Sequence, residues 1–161
     1  MIEIGVLDGG TAIYWHSRYN LEYLIAFEIA REASFLTRYL QRNNLMQALR
    51  VHLGVSQDDR PALQAAVTGD FDAIIDDASH QYAETKASFE TLFPFLRPGG
   101  AYIIEDWAWG HDHDWPPTLW VDSPLMSPLL SELMLVCGHA SGVIDRVEID
   151  RSFAVFWRGP S

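Results

Sequence analysis

The stretch FDAIIDDASHQYAETKASFETLFPFLRPGGAYIIEDW, residues 71–107, contains two short apolar runs on either side of a helix-like segment. The runs FDAII and AYII have the length and the β-branched and aromatic content of buried strands. The segment YAETKASFETLFPFL has the length of a helix, and we expect the turn RPGG to end it. A strand, a helix and a second strand in this order predict a right-handed β–α–β unit with parallel strands.

The same alternation continues on both sides of this unit. Three strand–helix pairs precede it, with strands predicted in IEIGVL, LEYLIAFEI and LRVHLGV. The helical pattern SPLLSELMLVCGHA follows, and GVIDRVEID and RSFAVFWRG are predicted to form a terminal antiparallel hairpin. The sequence therefore predicts an α/β fold with a Rossmann-like, mostly parallel sheet and helices on both faces.

Composition narrows the class of protein. A chain of 161 residues suits one domain, and 48% hydrophobic with 20% charged residues is typical of soluble globular proteins. The net charge of −11 disfavours nucleic acid as a partner. The single cysteine, Cys137, excludes an internal disulfide and favours a reducing compartment, so we expect a cytoplasmic protein. The chain has no signal-peptide pattern and no apolar run near the roughly 20 residues that span a bilayer, so no membrane contact is expected.

Acidic residues end two neighbouring predicted strands. Asp76 and Asp77 end the fourth strand, and Glu105 and Asp106 end the fifth. Ligands bind at the carboxyl ends of parallel strands, and adjacent strands lie about 4.8 Å apart, so we expect these acids to converge. Because converging carboxylates repel one another, a hard cation such as Mg²⁺ would stabilise them. We therefore expect Mg²⁺ at Asp77, Glu105 and Asp106; the alternative is that the acids cap turns and remain solvated.

A histidine follows the first of these acidic pairs. His80 lies three residues beyond Asp77, in the loop or first turn after the strand. An unperturbed imidazole has a pKa of about 6.5, which suits a group that accepts a proton near neutral pH. A structural or surface histidine is the alternative, and the nearby acids favour the role of a base.

A glycine-rich turn follows the first predicted strand. The sequence EIGVLDGGT places Gly5, Gly9 and Gly10 there, where glycine allows a positive φ angle and a close approach of the backbone to a ligand. Glu28 ends the second strand, where an acid can accept hydrogen bonds from both hydroxyls of a ribose. Together they predict an adenosine-containing cofactor. A plain tight turn with a solvated Glu28 is the alternative, since the spacing is not GxGxxG.

The stretches EIGVLDGGTAIYW and 71–107 resemble the class I S-adenosylmethionine-dependent methyltransferases. Within them the chain is most similar to the metal-dependent O-methyltransferases of macrolide sugars and to the related cephalosporin-hydroxylase-like group. The resemblance runs from Glu3 to Trp107 and rests on the D-D-x-S-H block, the R-P-G-G turn and the E-D-W ending. It implies a seven-stranded sheet with an antiparallel last strand. It also implies Mg²⁺-dependent methyl transfer from S-adenosyl-L-methionine to a hydroxyl of a small molecule, a sugar or another natural product.

The resemblance also implies roles for individual residues. His80 matches the proposed base, and Asp77, Glu105 and Asp106 match the Mg²⁺ ligands. The cofactor-binding residues that it implies are Glu3, Gly5, Gly9, Gly10, Thr11, Glu28, Ser56, Gln57 and Asp76.

The expected organisation is one methyltransferase domain, residues 1–161, without the N-terminal segment that is usual in the family. An open cofactor cleft and a tryptophan-rich loop make a homodimer the expected assembly. The tryptophans of this loop either wall an acceptor pocket or cover apolar surface: Trp107, Trp109, Trp115 and Trp120.

Two other functions stay open at this point. The first is a module or partner subunit that binds S-adenosylmethionine without turnover. The second is a nicotinamide-dependent oxidoreductase, against which the glycine spacing, the terminal hairpin and the converging acids argue.

Overall fold

The computed structural model describes residues 1–19, 21–111, 125–139 and 142–161. In chain order the strands and helices are β1 (Ile2–Ile4), α1 (Gly10–Tyr19), β2 (Leu24–Glu28), α2 (Ser34–Asn43), β3 (Leu49–Leu53), α3 (Arg60–Ala66), β4 (Phe71–Asp76), α4 (Tyr82–Leu92), β5 (Leu96–Glu105), α5 (Ser127–Gly138), β6 (Ile144–Ile149) and β7 (Phe153–Arg158). Short 3-10 helices occupy Phe93–Phe95 and Trp109–His111.

The strands form one seven-stranded sheet in the order β3-β2-β1-β4-β5-β7-β6. The first five strands pair in parallel, whereas β7 is antiparallel to both β5 and β6. The predicted Rossmann-like fold with an antiparallel last strand is therefore confirmed. The strand order reverses at β1 and β4, which is where ligands bind in open sheets of this kind.

Helices cover the sheet on both faces, as the alternating sequence pattern predicts. One hydrophobic cluster joins α1 and α2 to the sheet through Ala12, Leu36 and Leu40. The larger cluster joins α3, α4 and α5 to the opposite face, with Leu63 and Phe89 among its buried members. Among the described residues, no helix has the length and apolar character needed to cross a membrane.

The prediction that RPGG is a turn between α4 and the next strand is wrong. Phe71 pairs with Leu96 and Ala73 pairs with Ala101, so residues 97–100 form a bulge inside β5, opposite Asp72. A Cβ on Gly100 would lie 3.0 Å from the Asp72 carbonyl oxygen, so the close contact of the two strands favours glycine there.

Candidate active site

A cleft of about 490 Å³ opens where the loops after β1, β2, β3 and β4 meet. This is the carboxyl edge of the sheet at the point where the strand order reverses, the position expected for a ligand. Five of the residues predicted from the sequence line this cleft: Gly5, Glu28, Ser56, Gln57 and Asp77.

The glycine turn brings the loop after β1 against the loop after β4. Gly5 has a φ of +83°, and a Cβ at this position would lie 2.1 Å from the Asp77 carbonyl oxygen and 2.7 Å from the Ala78 Cα. Gly9 also has a φ of +83°, and its Cβ would clash with the Leu36 side chain at 2.6 Å. Gly10 begins α1 beside open space. The first two glycines are therefore required by the backbone itself.

Glu28 ties the end of β2 to the turn after β1. Its carboxylate oxygens accept hydrogen bonds from the backbone N–H of Leu7 at 2.7 Å and from that of Ala30 at 2.9 Å. The side chain is buried and lines the cleft. A carboxylate offers about four acceptor positions, so both oxygens can still accept from ligand hydroxyls.

Glu3 is a buried carboxyl beneath the glycine turn. Its Oε2 atom has no hydrogen-bond partner among the described residues, and the Thr11 hydroxyl donates to the carboxyl group. Burial, with smaller contributions from the negative charges of Asp77 and Glu105, raises the pKa of Glu3 to about 7, despite the lowering effect of Thr11. An unpartnered buried acceptor of this kind fits a ligand that brings a donor or a positive charge.

The two aspartates of the D-D pair have separate surroundings because side chains alternate across a strand. Asp77 continues the β4 ladder, since its N–H donates to the Ile4 carbonyl at 3.0 Å. Asp76 lies on the α4 side, where its carboxylate accepts from Ser88 at 2.6 Å and from Tyr102 at 2.7 Å. The expectation that both acidic pairs converge on one volume is therefore corrected.

Gln57 connects this buried network to the cleft. Its Nε2 donates to Asp76 at 2.6 Å, and its Oε1 accepts from the Ser79 hydroxyl at 2.6 Å and from the Ser79 N–H at 3.2 Å. Burial raises the pKa of Asp76, against the lowering effect of its donors Ser88, Tyr102 and Gln57. Direct contact of Asp76 with a cofactor stays untested, but in this structure its carboxylate orients Gln57.

Asp77, His80 and Asp106 form a cluster of ligand-type side chains. One potential metal-binding atom from each lies within 4.8 Å of the others, and His80 Nε2 is 3.7 Å from Asp77 Oδ1. Glu105, the third predicted metal ligand, lies outside this set of three. Burial raises the pKa of Glu105 to about 7, and the negative charges of Asp77 and Asp106 contribute to this increase.

The same repulsion acts on Asp77. Burial and the charge of Asp106 raise the pKa of Asp77, while His80 acts in the opposite direction. Because these carboxylates are partly withdrawn from water and repel one another, a hard cation beside them would relieve both effects. The structure thus brings Asp77, Asp106 and His80 together and leaves Glu105 outside this set, and the role of these residues as metal ligands and base stays a prediction.

Two of the loop tryptophans contact the loops around this cluster. The Trp107 indole N–H donates to the Asp150 carbonyl at 2.8 Å, and the Trp109 indole N–H donates to the His80 carbonyl at 3.0 Å. Trp115 and Trp120 lie outside the described residues. Trp107 and Trp109 thus hydrogen-bond to backbone carbonyl groups of the loops next to the cluster.

Sequence reasoning missed the buried hydroxyl groups around Asp76 and Gln57. Thr85 and Ser88 are buried on α4, and both are within hydrogen-bond reach of the Gln57 amide at 3.2 and 3.4 Å. The signal in the sequence was a pair of hydroxyl residues three positions apart on the face of α4 that packs against the sheet. A buried hydroxyl needs a hydrogen-bond partner.

Comparison with known proteins gives relatives that are named as O-methyltransferases. Mycinamicin VI 2''-O-methyltransferase of Micromonospora griseorubida is 58% identical over 38 residues, which are 24% of this chain and 10% of that protein. The 8-demethyl-8-alpha-L-rhamnosyl tetracenomycin-C 2'-O-methyltransferase of Streptomyces olivaceus is 45% identical over 60 residues, 35% of this chain and 16% of that protein.

A solved structure similar to this chain is that of the MycE methyltransferase from the mycinamycin biosynthetic pathway, in complex with Mg, SAH and mycinamycin VI. The TM-score is 0.72 at 27% sequence identity, and the match covers 98% of this chain and 44% of the MycE chain. This chain therefore spans less than half the length of MycE. The resemblance to macrolide-sugar O-methyltransferases inferred from the sequence is confirmed.

The comparison with protein families agrees with the similar proteins and with the similar solved structure. A family model described as "Methyltransferase domain" matches residues 2–107, from β1 to the residue after the E-D pair. Since this match covers more than half of the 161 residues, the chain belongs to the methyltransferase-domain family.

Proposed function

We propose that this chain catalyses Mg²⁺-dependent transfer of a methyl group from S-adenosyl-L-methionine to a hydroxyl of a sugar or another natural product. The observation that carries this proposal is that Asp77 belongs to two neighbouring sites. This residue lines the 490 Å³ cleft and also belongs to the cluster with His80 and Asp106. A cofactor in the cleft and a cation in the cluster would therefore be immediate neighbours.

The cleft fits an adenosine cofactor with a positively charged methionine part. Gly5 provides a surface without a side chain, and Glu28 offers free acceptor positions for ribose hydroxyls. The unpartnered Glu3 oxygen fits a cationic or donor group of the ligand. The remaining cofactor contacts that we propose are Gly9, Gly10, Thr11, Ser56 and Gln57.

The cluster of Asp77, His80 and Asp106 fits Mg²⁺. Asp77 and Asp106 would supply carboxylate oxygens from the loops after β4 and β5. Burial, together with the charges of these two acids, raises the pKa of Glu105, the third proposed ligand, to about 7. When bound, Mg²⁺ supplies a positive charge that lowers the pKa of an acceptor hydroxyl, and S-adenosylmethionine supplies a methyl group already activated by its sulfonium.

His80 is the base that we propose for the reaction. Its Nε2 lies beside the Asp77 carboxylate, and the ring is partly exposed, with 23% of the side chain accessible. His80 would accept the proton of the acceptor hydroxyl as that oxygen takes the methyl group, and the bond from the methyl carbon to sulfur would break to leave neutral S-adenosylhomocysteine. A positioned base of this kind is worth a factor of about 10² to 10⁴ in rate.

The acceptor and the assembly are also parts of this proposal. The relatives named above are sugar O-methyltransferases, which supports a small-molecule hydroxyl acceptor. Leu7 and Ile29 line the cleft and are 79% and 70% exposed, so apolar surface borders the site. This surface supports a homodimer, which sedimentation velocity would test. The acidic net charge of −11 argues against nucleic acid as a partner.

The test is a transfer assay with S-adenosylmethionine labelled in its methyl group and a panel of glycosylated natural products with vicinal sugar hydroxyls. Mass spectrometry should detect a product heavier by one methyl group when Mg²⁺ is present, and chelation of Mg²⁺ should abolish it. His80→Gln should bind the cofactor normally and lose transfer. Cofactor binding without transfer to any member of the panel would instead favour a non-catalytic module.

A further inference from the structure

The two loops that carry the acid–histidine cluster share an unusual backbone conformation. His80, after β4, has a φ of +54°, and Asp106, after β5, has a φ of +48°. Neither residue is glycine, although aspartate and histidine adopt the left-handed region more readily than most residues that have a Cβ. Neighbouring contacts stabilise such conformations, so the groups that bond to these two residues bear on the position of each loop.

One residue, Trp109, bonds to the carbonyl oxygen of both left-handed residues. Its backbone N–H donates to the Asp106 carbonyl at 3.1 Å, and its indole N–H donates to the His80 carbonyl at 3.0 Å. The indole also packs edge-on against the imidazole, with ring centroids 6.2 Å apart and an interplanar angle of 65°. Trp109 therefore touches the loop after β4 and the loop after β5 at once.

The turn that contains Trp109 is itself fixed to the rest of the sheet. The Asp106 N–H donates to the Ser152 carbonyl at 2.8 Å, and the Trp107 indole donates to the Asp150 carbonyl at 2.8 Å. Both acceptors lie in the connection between β6 and β7. The backbone bond to Ser152 sets the position of Asp106 itself, and the Trp109 indole links the Asp106 turn to the His80 loop.

We propose that Trp109 is a positioning residue that sets the distance between the Asp77–His80 loop and Asp106, and with it the affinity for the metal ion and the orientation of the His80 ring. This inference rests on the proposed function, because it assigns Trp109 to the metal and base of that reaction. Mg²⁺ and Mn²⁺ require ligand oxygens at closely defined distances, so a small displacement of one loop weakens binding. Partners that orient ligands in this way typically change metal affinity by about 10- to 100-fold.

The test compares Trp109→Phe with Trp107→Phe. Each variant keeps an aromatic ring and removes one indole hydrogen bond of similar length from the same turn, but only the first affects the His80 carbonyl. Titration with Mn²⁺, followed by electron paramagnetic resonance, should give an affinity about tenfold or more weaker for Trp109→Phe. Trp107→Phe leaves the backbone bond from Asp106 to Ser152 in place, so it should retain the wild-type affinity, and urea unfolding measures the stability of both variants.

A second measurement reports on His80 without any metal. The ring nitrogen signals of His80 in ¹⁵N nuclear magnetic resonance, assigned with His80→Gln, should shift in Trp109→Phe and stay in place in Trp107→Phe. Equal Mn²⁺ affinity and unshifted His80 signals in both variants would overturn the inference. An equal loss in both variants would also overturn it, because it would indicate a general loss of packing.

These readouts separate the inference from the proposed function. If the wild-type chain binds no Mn²⁺, the metal part of the proposed function fails, and the His80 signals alone decide whether Trp109 positions this residue. If Trp109→Phe does not fold, hydrogen exchange of the Trp109 indole N–H in the wild-type protein provides the test instead. Slow exchange of this proton with solvent would support the hydrogen bond to His80, and rapid exchange would overturn the inference.

Discussion

Gln57 accepts two hydrogen bonds from Ser79, one from the hydroxyl at 2.6 Å and one from the backbone N–H at 3.2 Å. Ser79 lies between Asp77 and His80, so this pair of bonds holds the loop that carries both proposed functional groups. The other end of the Gln57 amide is held by Asp76 in the protein core. The position of the loop thus depends on this buried network as well as on the Trp109 bond to His80.

Replacement of Gln57 should destabilise the fold. Gln57→Leu removes the acceptor of Ser79 and a donor to Asp76, and a buried polar group without a partner costs about 1–3 kcal/mol. We expect the free energy of unfolding in urea to fall by about this amount. The matched control is Gln64→Leu, an exposed position in α3, which should leave the free energy of unfolding nearly unchanged. Equal stability of the two variants would refute this account of the network.

Addition of one methyl group at Gly5 should disrupt the cleft. The Cβ of Gly5→Ala would lie 2.1 Å from the Asp77 carbonyl oxygen, and the φ of +83° is unfavourable for alanine. We expect the free energy of unfolding to fall by at least about 2 kcal/mol, with loss of S-adenosylhomocysteine binding. Gly138→Ala, at the end of α5 with open space around it, serves as the control and should not lower stability. A Gly5→Ala protein as stable as this control would contradict the predicted contact of the two loops.

The buried Glu3 should make the stability of the free protein depend on pH. Its pKa of about 7 in the folded state exceeds the ordinary value of 4.5, so the folded state retains a proton that the unfolded state releases. Stability is therefore greatest below pH 4.5 as far as Glu3 is concerned, and it declines as the pH rises toward 7. The decline attributable to this residue is on the order of 3 kcal/mol.

Glu3→Gln should remove that part of the decline. The difference in free energy of unfolding between variant and wild type, measured in urea at several pH values, should shift in favour of the variant as the pH rises from 5 toward 8. The exposed Glu22→Gln provides the control and should show a constant difference. A pH-independent difference for Glu3→Gln would show that Glu3 titrates normally.

Glu28 should contribute to cofactor affinity through its charge. Glu28→Gln keeps the size of the side chain but weakens its bonds to Leu7, Ala30 and any ligand hydroxyl, since hydrogen bonds to charged groups contribute about 1.5–3 kcal/mol. Calorimetry should give an affinity for S-adenosylhomocysteine about tenfold or more weaker. Glu32→Gln, an exposed acid after the same strand, should bind as the wild type does. Unchanged binding in Glu28→Gln would remove Glu28 from the proposed cofactor site.

The sequence predicted the sheet and the segments that form the site because local signals were strong. The alternating apolar runs define the strands, and the acids after β4 and β5 indicate where ligands bind. The separation of Asp76 from Asp77 was harder to predict, because it depends on which face of β4 each side chain occupies. One residue of difference in a strand sends neighbouring carboxylates to opposite sides of the sheet.

Long-range partners could not be predicted from local patterns. Gln57 meets Ser79 across 22 positions of sequence, and Trp109 meets His80 across 29 positions. No periodicity or turn rule connects residues that far apart. The left-handed conformation of His80 likewise follows from its contacts, since histidine has no intrinsic requirement for it.

The measurement that tests the central claim most directly is calorimetric titration of the chain with S-adenosylhomocysteine, once with Mg²⁺ and once with a chelator. Because Asp77 lines the cleft and belongs to the acidic cluster, we expect saturable binding whose affinity changes when Mg²⁺ is removed. Binding that is identical in both conditions would contradict the coupling of the two sites through Asp77. The absence of binding in both conditions would contradict the assignment of the cleft as a cofactor site.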